Sequence, residues 1–150
     1  MSASEMQTML ADARNAGAML VSEDDLPDLR NAAQRNGLLC RQIDLAGCRS
    51  KLNLLDRIAH ALQFPKTFGR NWDALADCLG DLGWLPAKGY WIEFTHAAEF
   101  RKAAPEDFDT LTSVLDDAAT SWATQKIAFW SALALPDALM DALDDEAVDR

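Results

Sequence analysis

Three aspartates, Asp73, Asp77 and Asp81, recur at intervals of four in the stretch FPKTFGRNWDALADCLGD, residues 64–81. On a helix this spacing puts the three carboxylates on one side, where each like-charge pair disfavours an isolated helix by about 0.2–0.5 kcal/mol. Asp73, in the first turn, gains from the helix dipole; local stability does not explain Asp77 or Asp81. A solvated face is the common role of such a charge run. The functional alternative is that carboxylates fixed on a rigid helix present negative charge to a cationic groove, imitating the phosphates that such a groove holds.

Other residues offer less. Glu106, Asp107, Asp109, Asp116 and Asp117 form a second acidic group in a stretch without Lys or Arg. Asp117 lies about 200° around a helix from Leu115 and should face solvent or a partner. The candidates for nucleophile or base are His60, His96, Cys40, Cys48 and Cys78. His60 reads as a surface residue and His96 as a loop hydrogen-bonding group. Cys78 sits among aspartates, which raise a thiol pKa instead of activating it. The odd cysteine number and the absence of C-x-x-C suit reduced thiols. They are expected in the core, with Cys48 nearest solvent. Helical aspartates lack the looped spacing of a calcium site, leaving room for at most a weak surface Mg²⁺. No glycine-rich phosphate loop is present. No catalytic residue, cofactor or metal site is expected.

The chain has 150 residues, with 14 Lys+Arg against 24 Asp+Glu, a net charge of −10, and 49% hydrophobic residues. A chain of this size should bury roughly 70% of its unfolded surface, so one domain is expected. The negative charge argues against binding nucleic acid or anionic lipid, both of which require Lys/Arg against phosphate; a basic partner is its complement. No apolar run approaches a membrane span, and the first residues lack the pattern of a signal peptide. A cytoplasmic monomer is the expectation.

The elements that must position these residues follow from periodicity. A short helix within 1–16, capped by Ser4, precedes a strand at 18–21. A helix starting at Ser22 carries the stripe Leu26, Leu29, Ala32, Ala33 and stops at Gly37. A strand at 38–44 leads to a helix capped by Ser50, in which Leu54, Leu55, Ile58, Ala59 and Leu62 keep helical spacing, ended by Phe64-Pro65. Asn71 caps the aspartate helix, whose buried side is expected to be Trp72, Leu75, Ala76 and Leu79. Residues 82–89 read as a loop, 90–94 as a strand, a helix opened by Pro105 carries Phe108, Leu111, Leu115, Ala118 and Trp122, and 127–130 forms a last strand. Pro136 starts a final helix to about 143. Alternating strands and helices imply an α/β fold with a small, mostly parallel sheet of three to four strands covered by helices.

The string Phe-Pro-x-x-Phe-Gly-x-Asn-Trp-Asp-Ala-Leu-x-Asp-Cys-Leu at 64–79 resembles the barstar family, intracellular inhibitors of ribonucleases such as barnase. The resemblance covers about residues 38–131, with 1–37 as an N-terminal extension and 132–150 as a C-terminal helix and tail. It implies a loop and acidic helix that plug a ribonuclease active site. Carried over by position, Asp73 and Asp77 match the helix aspartates that meet the enzyme's basic residues, and the weight placed on Asp77 comes from this resemblance. Gly69 and Asn71 match the loop and helix start, and Asp117 matches an acidic contact of the last long helix. Thr67 and Ala76 stand where the family has a contact tyrosine and tryptophan, so two aromatic anchors are absent. Phe68 and Trp72 are the apolar groups available in compensation. The expected partner is a basic ribonuclease, barnase-like or divergent. The alternative is an acidic interaction module that regulates a non-ribonuclease partner. Residues 1–37 are expected either to cover a sheet edge or to join the interface.

Overall fold

The computed structural model describes residues 2–148. Four parallel strands, β1 (Ala18–Ser22), β2 (Leu39–Asp44), β3 (Gly89–Thr95) and β4 (Ala128–Leu135), form one sheet in the order β1-β4-β3-β2. The crossover from β1 to β2 passes over one face through α2 (Leu26–Arg35), beside α1 (Ala3–Ala11). The connections back toward β4 pass over the other face. They contain α3 (Lys51–Ala61), α4 (Trp72–Asp81), α5 (Ala98–Ala103) and α6 (Pro105–Ala123). Stepping across the sheet in opposite directions on opposite faces keeps one hand of crossover throughout. α7 (Asp137–Val148) follows β4. This is the expected α/β architecture, with all pairings parallel.

Strand alternation sorts the core into two layers. Tyr90, Ile92, Phe94, Phe129, Leu133 and Leu135 pack under α3, α4 and α6. Trp91, Trp130, Ala128, Ala132 and Ala134 pack under α1 and α2, where Leu10, Leu26, Leu29, Ala32 and Ala33 close the layer. Tryptophans beside alanines on the sheet, met by alanines on α2, allow that helix to lie close. Trp130 Nε1 donates to Leu10 O at 3.1 Å. Residues 2–37 therefore supply the extra strand and helix expected of the extension: β1 covers the edge of β4, and α1 and α2 cover one face of the sheet.

Both edges are guarded by side chains. Leu45 N–H bonds Thr95 O, so the carbonyls of Cys40 and Asp44 point away from β3; Arg41 Nη1 and Arg57 Nη1 donate to them at 3.1 and 2.8 Å. At the other edge Asp116 Oδ1 accepts from Ala18 N–H at 2.7 Å. An added Cβ at Gly17 would lie 2.9 Å from that oxygen, so the glycine admits the carboxylate. Blocked edges resist pairing with other chains.

Several boundaries differ from expectation. The first helix is capped by Ser2, whose side chain accepts from Glu5 N–H, instead of by Ser4. A 3-10 turn at Glu23–Asp25 precedes α2. β4 continues to Leu135: all eight residues are buried, and small Ser and Ala side chains disguised a strand covered on both faces. α5 was not anticipated; it buries Phe100. α7 extends past 143.

Candidate functional site

The aspartate helix is built locally as its sequence suggests. Asn71 has extended backbone geometry and its side chain accepts from Ala74 N–H at 2.8 Å, an N-cap that satisfies one of the free first-turn donors. Leu75 and Leu79 are buried, and Trp72 is half-buried against the same core. Trp122 Nε1 on α6 donates to Leu79 O at 2.8 Å, tying the end of α4 to α6. The helix ends at Leu82, whose left-handed backbone (φ 48°) is held because its side chain is buried.

Ala76 was expected on the buried side; it is exposed. The inward face is narrower than the apolar pattern implies, because Leu75 and Leu79 with Trp72 suffice to seat a helix of nearly three turns. Ala76 therefore stands on the open face with Asp73 and Asp77, also exposed. Among the described residues neither aspartate side chain has an ion-pair or hydrogen-bond partner, although five ion pairs are formed elsewhere. Asp81 differs: its Oδ1 accepts from Gly83 N–H at 3.3 Å, which gives that carboxylate a role in ending the helix.

The loop before the helix is rigidified by aromatics. Phe68 packs edge-on against Phe64 with centroids 5.0 Å apart, and Phe64 against Trp84 at 5.9 Å. Trp84 Nε1 donates to Leu62 O at 2.9 Å. Phe68 is half-buried and Thr67 exposed, so Phe68 serves the loop first and offers only part of its ring outward. An added Cβ at Gly69 would lie 3.4 Å from Asn71 Nδ2 and 3.6 Å from Ala74 Cβ, ordinary contact distances, so the space over the first turn does not itself require glycine.

Asp117 is exposed on α6, the helix packed beside α4. Its neighbour Asp116, grouped with it in the sequence, is instead the cap on β1. The fold thus brings Asp73, Asp77, Asn71, Gly69, Thr67 and Ala76 to one open surface and carries Asp117 on the adjacent helix.

The other reactive side chains are quiet. Burial raises the Cys78 thiol pKa, and Asp77 and Asp81 raise it further. Burial likewise raises Cys40 and Cys48. Cys48, expected nearest solvent, is fully buried, its thiol turned toward Ser50 O ahead of α3. His60 is exposed, and His96 bonds Asp44 Oδ1 through Nδ1 at 2.8 Å. No group of three or more His, Cys, Asp or Glu side chains among the described residues is placed to hold a metal ion. No helix among them is long and apolar enough to cross a membrane.

Sequence reading missed Glu93. This carboxylate is fully buried in β3, accepting from Arg30 Nε and Nη2 at 2.8 and 2.9 Å, Trp91 Nε1 at 2.8 Å and Gln42 Nε2 at 3.2 Å. The signal was an acid inside the apolar run Tyr-Trp-Ile-Glu-Phe, since charged residues are seldom fully buried unless paired.

These features define an α/β protein whose parallel sheet backs an open, rigid acidic helix. The chain belongs to the barstar family: the model of the family described as barstar (barnase inhibitor) matches residues 38–134. The match runs past 131, the expected limit, into the longer β4. No curated protein matches the chain.

Proposed function

We propose that this protein is a cytoplasmic, non-catalytic ribonuclease inhibitor, an antitoxin that docks α4 into the basic active site of a ribonuclease. One observation carries the proposal: Asp73 and Asp77 are exposed and, among the described residues, without partners, on a helix otherwise capped and seated on its inner side. A carboxylate on a rigid element adds no backbone-ordering cost when it meets a cation, and one without a partner has no existing ion pair to break. In a desolvated groove, carboxylates at helical spacing occupy the place of successive RNA phosphates. The net charge of −10 speeds approach to a basic enzyme and makes the association rate fall with salt. Exposed Thr67 and Ala76 provide no large apolar anchor, which favours an enzyme that depends more on charge than barnase does.

The test measures RNA cleavage by purified ribonucleases of the barnase type, with native protein and with Asp73→Ala, Asp77→Ala and Asp117→Ala variants. Inhibition is expected, with Asp77→Ala weakening it by more than about 2 kcal/mol and a rim position such as Asp117 by under about 1 kcal/mol. Equal small losses at all three positions would refute this surface. The lack of aromatic anchors favours a second reading, an acidic module for a basic partner other than a ribonuclease. Absence of inhibition of any such enzyme would select it.

A further inference from the structure

Arg70 immediately precedes the N-cap of α4 and has a left-handed backbone, φ 54°. L-residues other than Gly, Asn and Asp seldom adopt this conformation, so something must hold it. Its side chain is tied at two points: Arg70 Nε and Nη2 donate to Asp56 Oδ1 and Oδ2 at 2.8 and 2.9 Å, a fork from the loop to the middle of α3. An exposed single-point pair would contribute little, whereas bidentate geometry fixes direction as well as distance. Both groups are about half exposed, so the fork is made without burying charge.

We propose that Arg70 and Asp56 are a positioning pair that sets the direction of α4's acidic first turn; this rests on the reading of α4 as the inhibitory surface. The backbone of residue 70 determines where Asn71 lies, and Asn71 holds both Ala74 N–H, through its side chain at 2.8 Å, and Leu75 N–H, through its carbonyl at 3.0 Å. Asp73 lies inside that turn. The pair has a second effect. A guanidinium three residues from Asp73 would weaken the negative potential of the helix, and Asp56 neutralises it at its source.

The experiment combines hydrogen exchange in the free protein with ribonuclease dissociation kinetics. Asp56→Asn is expected to speed exchange at Ala74 and Leu75 by about two- to five-fold, the scale of one well-made surface pair, and to raise the dissociation rate by a similar factor. The exchanged pair, Arg70→Asp with Asp56→Arg, is expected to restore both, since Asp tolerates the left-handed region. Arg70→Gly keeps the backbone conformation without the fork and is expected to behave as Asp56→Asn does. Unchanged exchange in Asp56→Asn would overturn the proposal, as would binding that is weakened by Arg70→Ala but not by Asp56→Asn, which would mean that Arg70 touches the enzyme directly. Faster exchange rescued by the exchanged pair, with no ribonuclease bound by any form, would uphold the positioning pair and refute the inhibitory reading.

Discussion

Glu93 and Asp77 are both carboxylates on regular elements, yet the molecule treats them oppositely. Glu93 lies under α2 with no exposure and receives donors from Arg30, Trp91 and Gln42. Asp77 lies on the outer side of α4 with no bonded partner among the described residues. Burying a charge is costly unless it is paired and hydrogen-bonded, so the first arrangement is what a carboxylate inside a core requires. The second does nothing for the fold: the neighbouring like charges disfavour the helix slightly. A charge used internally is surrounded by donors, and a charge kept for a partner is left open on a rigid support.

Removing Glu93 should break the first arrangement most severely. Glu93→Ala leaves the Arg30 guanidinium, the Trp91 indole and the Gln42 amide without their acceptor. The side chain of Arg30 is 32% exposed, and water can recover part of its loss, which places the cost near the lower end for a broken buried pair, about 3 kcal/mol. Urea denaturation measures this, and a loss under about 1 kcal/mol would mean that the network is already solvated. Asp77→Ala should do the reverse. Its stability should be unchanged or higher by about 0.2–0.5 kcal/mol, while inhibition falls. An Asp77→Ala variant that unfolds as easily as Glu93→Ala would erase the distinction between the two regions.

The same contrast governs what was legible beforehand. The α/β architecture was readable because its cues are local: Ser50 and Asn71 caps, Pro105 at a helix start, and apolar stripes on α2, α3 and α6. Asp73 and Asp77 were readable because a charge with no structural purpose stays visible as an unexplained pattern. Glu93 was obscured because its justification comes from Arg30, 63 residues away. Asp116 read only as one member of an acidic group, because the Ala18 N–H that it caps lies 98 residues away. Ala76 was misplaced because alanine is compatible with either side of a helix, and only the positions of Leu75 and Leu79 against the sheet decide. The end of β4, Ser-Ala-Leu-Ala-Leu, is hard to read as strand because it carries no polar–apolar alternation and no β-branched or aromatic residue.

A smaller imperfection on the opposite face sharpens the comparison. Ser131 Oγ is buried in the centre of β4 without a hydrogen-bond partner among the described residues. Glu93 is surrounded by donors, whereas this hydroxyl has been removed from water with nothing in return. Ser131→Ala removes the polar atom and leaves intact the backbone bond from Ser131 N–H to Gly17 O, so stability should rise by about 1 kcal/mol. The midpoint of urea unfolding checks it. A loss of similar size would mean that the hydroxyl has a partner after all.

The smallest expected effect is at the carboxyl end of the sheet, where His96 Nδ1 meets Asp44 Oδ1 in the open. The bond to Asp44 chiefly raises the imidazole pKa above its ordinary 6.5, with Glu23 adding to it through space. Asp44 is lowered from 3.8, first by the Ala46 N–H and then by His96. The signs are opposite. The His96 contribution is fully present below pH 6.5 and lost as pH rises through the higher folded value; the Asp44 contribution is present above pH 3.8 and lost as pH falls through the lower folded value. The pair therefore stabilises most between those limits, by under about 1 kcal/mol because both groups are solvated. His96 has a left-handed backbone, φ 55°, so Asn is the substitution that removes the charge without adding strain. The difference in unfolding free energy between wild type and His96→Asn should be larger at pH 5.5 than at pH 8.5. A difference independent of pH would show that the imidazole is held by its neutral hydrogen bond alone, leaving Glu93 and Arg30, among the described residues, as the ion pair of the sheet with energetic weight.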